Sequence, residues 1–213
     1  MKTNSTELWR NHFPCGFSYK LRAMEMHRCD TLVLFSPHLI RGFHHLETLS
    51  VEYCGSLEVV FDLEELIVGG RDHKVAILNK LDKIYLHGLG RMTHVWKKVP
   101  KDFDGLHNLT CLDVSWCDSL RYLFSPLIAK CLVRLRKLSI GHCEKMEEVV
   151  SKRDEEEGQQ KAVDIVFFPQ LQELRLSLLP SLVCIGQIAG ACSAFDKLSL
   201  EAPNVGSTDK VFI

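Results

Sequence analysis

The chain has 213 residues, 46% of them hydrophobic and 25% charged, with 26 Lys and Arg against 27 Asp and Glu for a formal net charge of -1. That composition excludes a collagen-like or wholly disordered chain, and the balanced charge leaves no field to draw in nucleic acid or an acidic membrane. Nine cysteines are an odd count, and the first sixteen residues lack the unbroken apolar core of a secretory signal, so free thiols in a reducing, cytoplasmic compartment are expected.

Residues 1–16 carry no repeat and read as a non-repeat N-terminal segment. Over 17–203 a template L-x-x-L-x-L-x-x-C recurs. In chain order it falls on Leu21, Met24, Met26, Cys29; on Leu46, Leu49, Val51, Cys54; on Leu81, Ile84, Leu86, Leu89; and on Leu109, Leu112, Val114, Cys117. It continues on Leu135, Leu138, Ile140, Cys143; on Leu171, Leu174, Leu176, Leu179; and, more weakly, on Phe195, Leu198, Leu200, Pro203. Residues 204–213 read as a C-terminal tail. Copies one to three map onto copies four to six at offsets of 88, 89 and 90 residues, so a block of three repeats has duplicated.

In L-x-x-L-x-L the inner leucines alternate at period two, as a short strand buried on one face requires. Strands are therefore predicted near 22–26, 47–51, 82–86, 110–114, 136–140 and 172–176. One repeat cannot bury its own row of leucines, so the copies must stack. The fold class that follows is α/β: a right-handed, curved leucine-rich repeat solenoid with a parallel sheet on the concave face and irregular segments and short helices on the convex face. The ninth position points inward, where cysteine is a small buried side chain with a weak donor for a backbone carbonyl. On the convex side Ser36-Pro37 and Ser125-Pro126 place a capping hydroxyl before a proline at the first helical position, and Ile128 and Leu132 give the following helix an apolar stripe. Residues 69–74 and 151–161 fill the two longest gaps and read as solvated loops.

The x positions face out, and they hold polar side chains, charges of both signs and aromatics, the mixture found in protein-binding patches. The residues expected to bind a partner are Arg22, Glu25, Glu47, Ser50, Glu52, Tyr53, Lys83, Tyr85, Asp113, Ser115, Trp116, Arg136, Ser139, His142 and Arg175. His27, Thr48 and His87 fall on the same face. Tyr53 and Trp116 share one template position, next to the cysteine, and large aromatics often carry binding energy.

The run LHNLTCLDVSWCDSLRYLFSPLIAKCLVRLRKLSIGHCEKMEEVVSKRDEEE, followed by VFFPQLQELRLSLLPSLVCI, resembles the leucine-rich repeat region of plant intracellular nucleotide-binding immune receptors of the coiled-coil class. The resemblance covers about 17–185 and implies a recognition module, ligand-sensing or autoinhibitory, acting in defence. It implies a protein partner: a pathogen effector, a guarded host protein, or the receptor's own nucleotide-binding domain. No G-x-x-x-x-G-K-[ST] phosphate loop occurs, so ADP or ATP is expected only in a domain outside this sequence, and no cofactor is expected here. Neither end carries the polar cap that seals a solenoid, which predicts a fragment or a truncated form.

Rival chemistries find weaker support. Cys29, Cys54, Cys117 and Cys143, with His27 and His142 nearby, could suggest zinc, but they recur at one template position and no paired C-x-x-C exists, so burial is expected instead of a metal. No nucleophile, base or H-E-x-x-H constellation accompanies the ten histidines, so no catalytic residue and no enzyme is expected. The uncharged stretch between Arg175 and Asp196 is diluted by Pro180, Gly186, Gln187 and Gly190, so no membrane span is expected. The alternative function is a substrate-selecting adapter of a ubiquitin ligase, for which no second docking motif is found in 1–20.

Overall fold

The computed structural model describes residues 21–35, 40, 42–63, 78–151, 168–185 and 197–201. One strand per repeat builds a continuous parallel sheet: β1 (Ala23–His27), β3 (Thr48–Glu52), β5 (Lys83–His87), β7 (Cys111–Ser115), β9 (Lys137–Gly141), β11 (Glu173–Ser177) and β12 (Lys197–Glu201). These seven strands lie in the order in which the chain visits them. The weak seventh copy therefore does add a strand, with Leu198 opposite Leu174 and Leu200 opposite Leu176.

Each strand runs one residue later than its sequence-predicted span, and the backbone bonds explain why. The carbonyl of the second template position accepts from two amides of the next repeat, as Arg22 does from Glu47 and Thr48, so the regular ladder starts one residue on. At the far end the ladder extends through the amide of position eight: Tyr53 N donates to His87 O, Gly88 N to Ser115 O and Trp116 N to Gly141 O. Boundary shifts of one residue are ordinary for a short strand.

Alternation breaks at position eight. Positions four and six are buried, period two would bury position eight as well, yet the chain buries position nine instead: Cys54, Leu89, Cys117 and Cys143 are all inaccessible. A left-handed backbone makes the slip, with φ of 55° at Arg28, 53° at Tyr53, 67° at Gly88, 58° at Trp116, 53° at His142 and 50° at Leu178. This acts as a bulge acts in a strand, turning one side chain out and the next one in. Each inward residue then opens a tight turn whose fourth amide returns to its carbonyl, as from Leu57 to Cys54 at 3.1 Å and from Leu120 to Cys117 at 3.1 Å. The thiols find the acceptor expected of them. Cys117 Sγ donates to Ser115 O at 3.4 Å and Cys143 Sγ to Gly141 O at 3.3 Å.

The outer side departs from the sequence reading. After each turn the chain forms a second short strand, β2 (Leu34–Phe35), β4 (Val59–Asp62) and β6 (His94–Lys97) in one parallel sheet, β8 (Tyr122–Phe124) and β10 (Glu148–Val150) in another. An isolated bridge between Glu148 and Cys184 stands where the duplicated block would supply the third strand of that second sheet. The expected short helices are present on this convex face, and part of the remainder is extended, because β-branched and aromatic residues after the turn, such as Val59-Val60-Phe61 and Tyr122-Leu123-Phe124, favour a pleated surface. A helix is found at one of the two proline caps. Ser125 Oγ accepts from Ile128 N at 3.4 Å and opens α1 (Pro126–Cys131), which buries Ile128 and Ala129. Ser36-Pro37 lies outside the described residues, as does nearly all of the 69–74 and 151–161 loops. Ser151, expected in a solvated loop, is instead buried, and its amide donates to Phe124 O at 2.8 Å as the second sheet ends.

Between the two layers lies one core. Leu109, Leu112 and Val114 of the fourth repeat join Leu135, Leu138 and Ile140 of the fifth in a cluster that runs from Met24 to Ile185. On its outer side Phe61 stacks on Trp96 at 4.8 Å between centroids and on Phe35 at 6.2 Å.

Candidate concave recognition face

Strict in-register pairing turns the outward positions into rows across the sheet. Position three reads Ala23, Thr48, Lys83, Cys111, Lys137, Glu173. Position five reads Glu25, Ser50, Tyr85, Asp113, Ser139, Arg175, and position seven reads His27, Glu52, His87, Ser115, Gly141, Ser177. All of the residues expected to bind a partner are at least partly exposed. They do not form one cluster. Arg22, Glu47 and Arg136 stand at position two, while Tyr53, Trp116 and His142 stand at position eight, six residues further along an extended chain, or about 20 Å away.

The first four repeats enclose a hollow of about 850 Å³. Expected residues Glu25, Ser50, Glu52, Tyr53, Tyr85, Asp113 and Ser115 line it, together with His27, Thr48 and His87. Tyr53 forms one wall. Its ring meets His27 edge-on at 5.3 Å and His87 edge-on at 4.9 Å. Below it Gly88 is required twice over, by its left-handed backbone and by contact: a Cβ there would lie 2.6 Å from the tyrosine ring. Sequence reasoning did not single out Gly88, although a glycine at the template position that elsewhere holds Tyr53 and Trp116 was a visible signal. The rest of the lining is tied together by side-chain bonds, His87 Nδ1 with Ser115 Oγ at 2.6 Å and Ser50 Oγ to Glu52 Oε1 at 3.1 Å. Burial raises the pKa of the Asp113 carboxyl, opposed by a hydrogen bond from Ser139 and by the charges of His87 and Arg175.

A second aromatic patch lies further along. The Trp116 and His142 rings stack at 4.0 Å with an interplanar angle of 7°, and Trp116 stays 49% exposed. Leu178 follows them at the same template position, also exposed. At positions three and five of the fifth and sixth repeats, Glu173 bridges Lys137 at 3.2 Å and Arg175 at 2.5 Å.

Residues 1–144 match the family model described as plant disease resistance protein RPS2-like, leucine-rich repeats. The chain belongs to this family. Searches of curated proteins and of solved structures returned no match.

In this member of the RPS2-like leucine-rich repeat family, the position-nine thiols of Cys54, Cys117 and Cys143 are buried as expected, whereas Cys29, expected buried with them, is only partly so. Burial pushes the Cys54 thiol up to about 11, and a hydrogen bond with the neighbouring Cys143 thiol, together with burial, pushes Cys117 up as well. Cys143 moves the other way: the hydrogen bond with Cys117 lowers it against the cost of burial. No helix among the described residues is long and apolar enough to cross a membrane; the Arg175 to Asp196 stretch begins in β11, and its part from 186 onward lies outside them.

Proposed function

We propose that this chain is the protein-recognition module, ligand-sensing or autoinhibitory, of a cytoplasmic plant immune receptor of the coiled-coil nucleotide-binding class. It has no enzymatic activity and takes no cofactor of its own, nucleotide being bound by a domain outside this sequence. Its partner is a pathogen effector, a guarded host protein or the receptor's nucleotide-binding domain. The observation that carries this reading is the row of outward aromatics held in left-handed backbone at the rim of the sheet, Tyr53 and Trp116, within a family of disease resistance repeats. Backbone in that region costs a non-glycine residue about 1–2 kcal/mol, and strain of this kind tends to persist at functional positions. No observation favours the ubiquitin ligase adapter.

The test compares binding of a verified partner by the wild type and by Tyr53→Ala, Trp116→Ala and Arg136→Glu, with circular dichroism to confirm folding. Each aromatic loss is expected to weaken binding by about 1–3 kcal/mol. Normal binding by all three folded variants, with loss on changing 151–161, would move the site to the convex loop.

A further inference from the structure

The hollow beneath Tyr53 carries an unbalanced charge. Glu25, Glu52 and Asp113 line it, and no lysine or arginine does. Among the described residues none of these three carboxylates is ion-paired with a lysine or arginine, whereas Glu47, Glu58, Glu147 and Glu173 elsewhere each pair with one. The walls supply flat aromatic surface as well. Tyr53 is fixed from two sides by His27 and His87 and from below by Gly88, so its place does not depend on an occupant. Tyr85 lines the hollow as well. Ser50 and Thr48 add hydroxyls that can accept or donate.

Among the side chains of a protein partner, one chemistry matches all three features. A guanidinium is planar, permanently charged, weakly hydrated, stacks on tyrosine and forks onto carboxylates, while an ammonium is a compact, strongly hydrated point charge that gains less from flat walls. At 850 Å³ the hollow falls within the usual range of binding pockets and accommodates an arginine with part of the segment that carries it. We propose that this hollow is an arginine-accepting pocket, in which a guanidinium of the partner protein sits against Tyr53 and Tyr85 and bonds to Glu52 and Asp113. The raised Asp113 pKa fits such a site, since a half-buried carboxylate is relieved by an incoming cation.

The inference rests on the concave face being a protein-recognition surface, and its test separates the two. Acetyl-arginine methylamide is titrated into the 15N-labelled full chain, followed by amide chemical shifts, with the citrulline and lysine analogues as probes of equal shape and equal charge. The arginine probe is expected to move the amides of Ser50, Tyr85, Asp113 and Ser115, and to bind at least about tenfold more tightly than citrulline, the equivalent of one lost charge-assisted contact of about 1.4 kcal/mol. Lysine should bind more weakly than arginine. Glu52→Gln and Asp113→Asn should each weaken the arginine probe, while Arg121→Ala on the outer side should not. Equal binding of citrulline or of lysine, shifts confined to other surfaces, or no shift at all would overturn the pocket. Loss of partner binding in the Tyr53 and Trp116 variants without arginine binding would sink this inference alone. Arginine binding in the hollow, with partner binding unaffected by those variants, would sink the wider reading instead.

Discussion

Position eight is where residue chemistry and backbone conformation disagree most. Six described repeats adopt a positive φ there, and one of the six has glycine. Arg28 is exposed and lies outside the hollow, so the left-handed turn there serves the backbone, whose amide donates to Glu52 O, and not the side chain. Arg28→Gly should relieve about 1–2 kcal/mol of left-handed strain against roughly 0.5–1 kcal/mol of extra unfolded-state entropy, for a net gain of about 0.5–1 kcal/mol in urea unfolding. Gly88→Ala should do the reverse, costing at least about 1 kcal/mol and displacing the Tyr53 ring, which tyrosine fluorescence would register. Asp113 gives a second residue-scale expectation. Its folded pKa is raised, so its stabilising contribution is present below the ordinary value of 3.8 and is lost as pH rises through the folded value. At neutral pH the ionised, half-buried carboxylate is therefore a liability. Asp113→Asn should raise the urea midpoint at pH 7, and the advantage should shrink as the pH falls; an unchanged midpoint at pH 7 would contradict it. Exposure at this scale was legible in the sequence because alternation alone sorts Glu25, Ser50 and Tyr85 outward. The conformation of position eight was not, since Arg, Tyr, Trp, His and Leu carry no left-handed signature. The three-residue step from the sixth to the ninth template position was the available clue.

Inner strands were readable as elements because leucine spacing and burial share one period. The outer strands were not, because β2 and β8 are only two and three residues long, too short for periodicity to distinguish from a turn. Their residues nevertheless do structural work through aromatic packing. Phe61 is fully buried between Phe35 and Trp96, so Phe61→Ala should cost about 3–5 kcal/mol by leaving a cavity in the outer layer. Thermal unfolding measures this, and a loss below about 1 kcal/mol would mean that the layer collapses around the gap. Outer pairing is reinforced at its surface by Arg91 with Glu58 at 3.0 Å and by the forked bond of Arg121 onto Glu147, exposed pairs that contribute little singly.

Across the whole molecule every repeat leans mainly on its two neighbours, so stability is a sum of rungs and interfaces with no central knot of contacts. Amide exchange should consequently be slowest in β5, β7 and β9, which lie at least two strands in from either end of the described sheet, and should quicken toward β1 and β12. Uniform protection along the sheet would imply all-or-none unfolding and contradict this expectation. The duplicated block at offsets of 88 to 90 residues has a consequence for heritable change. Each unit carries its own ladder strand, left-handed corner, inward-facing ninth residue and closing turn, so a copying error that inserts or removes whole units leaves every remaining row in phase. Such an error lengthens or shortens the binding face by entire rungs while the buried leucines meet partners like those they had before. Unequal recombination between similar units can therefore produce a new surface in one step, whereas point substitution must alter it side chain by side chain.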